Sequence, residues 1–181
     1  STYGVRVNPT IVQDAQCTPI RLVSQTSRTS AKTYSTRPWC FAPLLQTNDE
    51  SPITTHLSPV KSELVSNITL LNNKDVQATK LLSTSNESHV MNAPEAIKLK
   101  YAGMSMTEDY FNQPSQTAAV LLEGCFRSAF TGKTIPDSCK DLSSGRINMG
   151  KPARQIIVST ASIIQNEWNN AGGQSQPIPL G

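Results

Sequence analysis

Only two histidines, His56 and His89, occur in the 181 residues of this chain. A nucleophilic reaction of the usual kind would need one of them within hydrogen-bond reach of a serine or cysteine. Neither lies near a G-x-S-x-G turn, and His89 closes the run Asn86-Glu87-Ser88-His89, where Glu87 cannot orient it from the same face of a helix. Both read as solvated loop residues. The carboxylate pairs Asp49-Glu50 and Glu108-Asp109 are sequence neighbours whose side chains point apart, so neither makes an acid–base dyad. The first reads as loop and the second as charge at a helix start. Thr131-Gly132-Lys133-Thr134 ends like a phosphate loop, but Arg127 stands where G-x-x-x-x-G-K-[ST] requires a glycine. No catalytic residue, metal-ligand set or cofactor site is expected.

The four cysteines are Cys17, Cys40, Cys125 and Cys139. An even number without any CxxC spacing points to disulfides in an oxidising compartment rather than to a metal. Three pairings are possible, the nearest-neighbour one being Cys17–Cys40 with Cys125–Cys139. Cys125 falls on the apolar face of an expected helix, which weakens the case for a disulfide there somewhat unless residues 135–142 fold back over it. Two glycosylation patterns, Asn67-Ile68-Thr69 and Asn86-Glu87-Ser88, carry meaning only in a eukaryotic source.

Ser, Thr, Asn and Gln supply 62 residues, whereas only 16% are charged and 37% apolar. A surface solvated by neutral polar groups suits an extracytoplasmic protein (periplasmic, cell-surface or secreted) better than a cytosolic one. Residues 1–40 hold five bases against Asp14 alone, and the remaining 141 residues hold 11 bases against 12 acids. Those five bases are spaced too widely for a phosphate-binding array, so nucleic acid is not the expected partner. No stretch reaches the roughly 18 apolar residues of a membrane helix. The chain opens at Ser1 without a basic-then-apolar leader, which fits a removed signal peptide or a trimmed chain.

The elements expected from these patterns give an α+β, mainly α chain. Residues 1–57 read as an irregular or β-rich N-terminal arm, with short or edge strands in 5–12 and 19–24 because Pro9 and Pro19 interrupt them. Residues 24–36 read as an exposed polar loop. Trp39 and Phe41 sit between Pro38 and Pro43, either plugging the arm onto the body or anchoring a partner. Residues 58–173 read as a helical body. Leucine and valine spacing across 61–84 leans towards helices, with a hairpin as the alternative. A short helix is expected from Pro94 to Ala102, and a capping pattern from Ser105 to Glu108. A longer helix is expected from Pro114 to Phe130. An amphipathic one should run from Pro152 to Asn170, with Ile157, Ala161, Ile164 and Trp168 on one face. Residues 174–181 read as an extended Pro-rich tail in which Ile178 and Leu180 could dock on a neighbour.

The function expected from these features is a non-enzymatic structural or interaction subunit of an extracytoplasmic assembly, such as a surface appendage or secretion-machine component. Its partners would be protein subunits, in a homo- or hetero-oligomer held through terminal arms. A viral coat or capsid-associated protein with a weakly basic arm is one alternative. A secreted hydrolase using His56 or His89 is another.

Overall fold

A computed structural model describes residues 3–25, 33–105, 107–134, 136–138, 145–165, 168–169 and 175–177. In it the longest uninterrupted apolar run, Ala118 to Leu122, is a strand buried on both faces. This strand, β9 (Thr117–Arg127), lies inside a six-stranded antiparallel sheet. Its neighbours are β10 (Met149–Val158) on one side and β7 (Val76–Ser83) on the other. Beyond β7 come β4 (Thr33–Thr47) and β3 (Cys17–Gln25), with the short β5 (Val60–Lys61) also pairing to β4. Alternate residues of β9 point to opposite faces. Ala119 and Leu121 join a core with Leu45, Val65, Leu81 and Leu82, while Val120 and Leu122 join a second core with Val5, Ile68, Val76 and Phe126. The second core is roofed by a ribbon of β1 (Val5–Val7) and β6 (Ile68–Leu70).

A second ribbon pairs β2 (Thr10–Asp14) with β8 (Ser88–Asn92) and packs beside β4. Between them lies a third core of Cys40, Phe41 and Phe111, edged by Trp39, Tyr101 and Tyr110. The last ribbon is β11 (Trp168–Asn169) with β12 (Gln176–Pro177). Three-residue and five-residue 3-10 turns occur at Ser162–Ile164 and Leu99–Gly103.

The mainly α expectation is therefore overturned: the chain is mostly β-sheet, and among the described residues no helix reaches seven residues. Within residues 114–130, Thr117–Arg127 form β9 rather than a helix. An unbroken apolar run satisfies a helical stripe and a doubly buried strand equally well, and here the strand wins because both of its faces are buried. Within 152–170 the described residues include the end of β10, a 3-10 turn and β11. The run Ile156-Ile157-Val158 is β-branched, stiff at χ1 and suited to a pleated surface, and Pro152 is tolerated because β10 is an edge strand. Across 61–84 the leaning towards helices also fails. Strands β6 and β7 occupy that stretch, but they pair with β1 and with β4 and β9, not with each other. Pro94 does not open a helix, and Ser105–Glu108 leads into a turn. The short strands expected in 5–12 and 19–24 are present; of the loop expected over 24–36, residues 24–25 belong to β3 and 33–36 to β4, and 26–32 lie outside the described residues.

Where β7 begins, Gly124 adopts a φ of +149°, and a Cβ built on it would lie 2.1 Å from the Asp75 carbonyl oxygen. That close approach lets the Cys125 N–H reach Asp75 O at 3.0 Å and starts the β7–β9 ladder. Gly124→Ala should cost about 2–5 kcal/mol through combined backbone strain and overpacking. Urea unfolding measures it, and a loss below half a kilocalorie would contradict the crowded bend.

Candidate functional site

One buried carboxylate organises the junction where the β2–β8 ribbon meets the large sheet. Asp14, at the end of β2, is 0% exposed. Its Oδ1 accepts from the Gln16 N–H at 2.8 Å and from the Ser85 hydroxyl at 2.6 Å, and its Oδ2 accepts from the Ser85 N–H at 2.7 Å. Burial pushes the Asp14 carboxyl above its ordinary range, with a small further push from Glu87; the bonds from Ser85 and Gln16 pull the other way. The two segments it ties are 71 residues apart in sequence. Around this tie, Ala15 N–H donates to Glu87 O, Leu44 N–H to Gln16 O and Glu87 N–H to the Ser85 hydroxyl.

Above the tie opens a cleft of about 350 Å³ lined by Gln16, Gln46, Ser83, Thr84, Ser85, Asn86 and Ser115. Gln46 comes from β4 and stands opposite Ser83, the last residue of β7. Residues 84–86 bridge β7 to β8, and Ser115 lies just ahead of β9. Gln46 Nε2 donates to Gln16 Oε1 at 3.1 Å, joining two walls. Thr84 is anchored in both directions: its N–H donates to Gln116 O, and its hydroxyl accepts from Gln116 N–H at 2.8 Å. Every lining side chain is a neutral amide or hydroxyl, each able to donate and to accept. Asp14 ties the Gln16 and Ser85 walls together through three donors and is itself fully buried, so its carboxylate stays out of contact with solvent.

The expected site residues fall elsewhere. Phe41 is fully buried, 5.1 Å from both Trp39 and Tyr101 by ring centroid, and Trp39 is half-buried beside it. Cys17, Cys40 and Cys125 are free thiols, and Cys139 lies outside the described residues, as do Ile178 and Leu180. Burial pushes the Cys40 thiol up to about 11, with the nearby Cys17 adding to it and the Gln13 amide opposing. Gln13 Nε2 sits 3.3 Å from Cys40 Sγ, and its Oε1 accepts from the Tyr110 hydroxyl at 2.7 Å. His89 stacks on Tyr110 at 4.1 Å, while His56 is an exposed turn residue with φ 64°. The Asn67 amide nitrogen donates to Gln116 Oε1, whereas Asn86 is exposed at the cleft rim. The stretch Thr131–Thr134 follows a strand, not a helix, and stays a turn in which Lys133 lies over the Phe130 ring at 5.4 Å. No local motif marks the cleft, since its residues are contributed by four separate segments.

Two outcomes follow. Asp14→Asn replaces one acceptor by an NH₂ group facing a donor and should cost about 1–3 kcal/mol at neutral pH. Because burial raises the folded-state pKa, the acid form is favoured by folding. That contribution is fully present below the unfolded value of 3.8 and is lost as pH rises through the folded one. The wild-type advantage over Asp14→Asn should therefore grow as pH falls from 7 towards 4, measured by urea unfolding; a constant or shrinking gap would contradict the assignment. In thiol labelling of the native chain at pH 8, Cys40 should react last of the three described cysteines, because a pKa near 11 leaves few thiolates. Mass spectrometry of digests reads the order.

No curated protein and no solved structure matches this chain. A family model does, over residues 1–181, and its description is that of an ABC-type uncharacterized transport system, auxiliary component. Among the described residues no helix is long and apolar enough to cross a membrane. With the whole sequence matched, the chain belongs to this ABC-type transport-system auxiliary family and is a transport-associated accessory protein.

Proposed function

We propose that the chain is a non-catalytic recognition module of its transport system, working outside the cytoplasm, whose polar cleft seats a neutral, hydroxyl-rich ligand of the saccharide or polyol class. The observation that carries this reading is the cleft lining: three amides and four hydroxyls, with no ionised side chain among them. Such groups match sugar hydroxyls, which also both donate and accept. The buried Asp14 charge beneath the floor disfavours anions. A wall without aliphatic or aromatic groups gives apolar ligands little area to bury. The non-catalytic part of the reading rests on the sealed carboxylate and on two histidines that stand apart from the cleft. The neutral polar composition supports placement outside the cytoplasm.

Calorimetry against a panel of neutral mono- and disaccharides, sugar acids and fatty acids tests the reading. A neutral sugar should bind with a dissociation constant of about 1 mM or tighter, worth about 4 kcal/mol. Asn86→Ala, at the exposed rim, should weaken it about tenfold, the equivalent of about 1.4 kcal/mol. Selective binding of the acids, or no neutral ligand sensitive to Asn86→Ala, would contradict the proposal.

A further inference from the structure

Strand β10 ends the six-stranded sheet and pairs only with β9 among the described residues. The positions of its backbone groups follow from one bond. Ser159 N–H donates to Ala118 O, so residues 157, 155 and 153, in phase with 159, direct their N–H and C=O groups towards β9. On the far side of β9, Cys125 N–H donates to Asp75 O, as this alternation requires. Arg154, Ile156 and Val158 therefore direct theirs outward, away from the sheet. The next outward position is Pro152, which has no N–H to offer, and a register shift between Met149 and Pro152 distorts the strand beyond it. Proline and a bulge are the usual defences of an exposed edge. They cover one half of β10; among the described residues nothing defends 153–158, and Ile156 is 53% exposed on it.

We propose that this half-edge is a self-association surface, occupied by the same half-edge of a second copy in antiparallel pairing with the two-fold axis at Ile156. In that register Arg154 faces Val158 of the second copy and Ile156 faces its own equivalent. All three outward N–H groups meet outward C=O groups, giving six hydrogen bonds by the alternation of antiparallel ladders. A dyad at Gln155 would set Val158 against Pro152 and strand two carbonyls, while a dyad at Ile157 would carry Arg154 past the end of the strand at Val158. The charge pattern agrees. Each Arg154 is already paired with Glu123 of its own chain at 2.7 Å. The two arginines would stand about 13 Å apart at about 3.3 Å of rise per residue, beyond the Debye length of about 8 Å. On the opposite face Gln155 meets Ile157. The result is one continuous sheet through both copies, with the two exposed Ile156 side chains covering each other.

Sedimentation of the 181-residue chain between about 1 and 200 µM tests this, alongside backbone amide exchange at both extremes. A concentration-dependent dimer is expected, with the amides of Arg154, Ile156 and Val158 slowed at high concentration. Ile156→Lys sets two ammonium groups face to face and should raise the dissociation constant at least about tenfold, whereas Ile156→Val should leave it within about twofold. A chain that stays monomeric at about 200 µM overturns the proposal, and so does a dimer unaffected by Ile156→Lys. Circular dichroism checks that the variant keeps its sheet. Should it unfold, the exchange measurement on the unsubstituted chain decides alone: equal exchange of the three outward amides at both concentrations rejects the interface.

Discussion

Ala118 to Leu122 must be covered on two sides at once, and most of the architecture answers that requirement. A strand whose alternate residues are all apolar cannot sit at a surface, so β9 takes an interior place in the sheet with ladders to both β7 and β10. One face is closed by the β1–β6 ribbon through Val5 and Ile68. On the other, Ala119 and Leu121 pack with Leu45, Leu81 and Leu82 of the same sheet, and Val65, from the segment between β5 and β6, joins them. Burial of this kind contributes on the order of 1.5–3 kcal/mol for each large side chain. The cleft opens where β7, the ladder partner of β9, ends at Ser83.

The cleft is a product of closure rather than of local sequence. Once β7 stops at Ser83, the chain must cross to the β2–β8 ribbon within four residues, and Ser85 makes the crossing by satisfying Asp14 twice. A carboxylate buried without a cation is costly, and its cost is offset by three directed donors. That arrangement holds Gln16 and the 84–86 bridge in place, and with them two walls of the cleft. An uncharged seat of this kind is what the proposed recognition role requires.

Much of this was hidden in the linear pattern for identifiable reasons. The residues Leu121, Leu122, Cys125 and Phe126 satisfy a helical stripe, but a continuous apolar run satisfies every period, and what separates the two states is the presence of covering layers. Ile157, Ala161 and Ile164 also fell at helical spacing, although Ile156-Ile157-Val158 carried the β-branched signal that governs the outcome. Other features were legible. Pro19 pointed to a short or edge strand in its segment, and β3 is an edge strand; the Trp39–Phe41 cluster was readable as a plug of the arm or as a partner anchor, and burial of Phe41 does not decide between them. The cleft was not legible at all. Gln16, Gln46, Ser85 and Ser115 are ordinary members of a Ser- and Gln-rich chain until pairing of β2 with β8 and of β4 with β7 brings them together.

The dependence of the cleft on the doubly covered strand can be read in one hydrogen-exchange experiment on the unsubstituted chain. Amides from Ala118 to Leu122 should exchange last of all. The amides of Gln16 and Ser85, though they lie in connecting segments, should be protected with the strands because both donate to Asp14. Gln16 and Ser85 exchanging at the rate of open loops, with β9 still protected, would show that the seat is not preformed and would contradict the account.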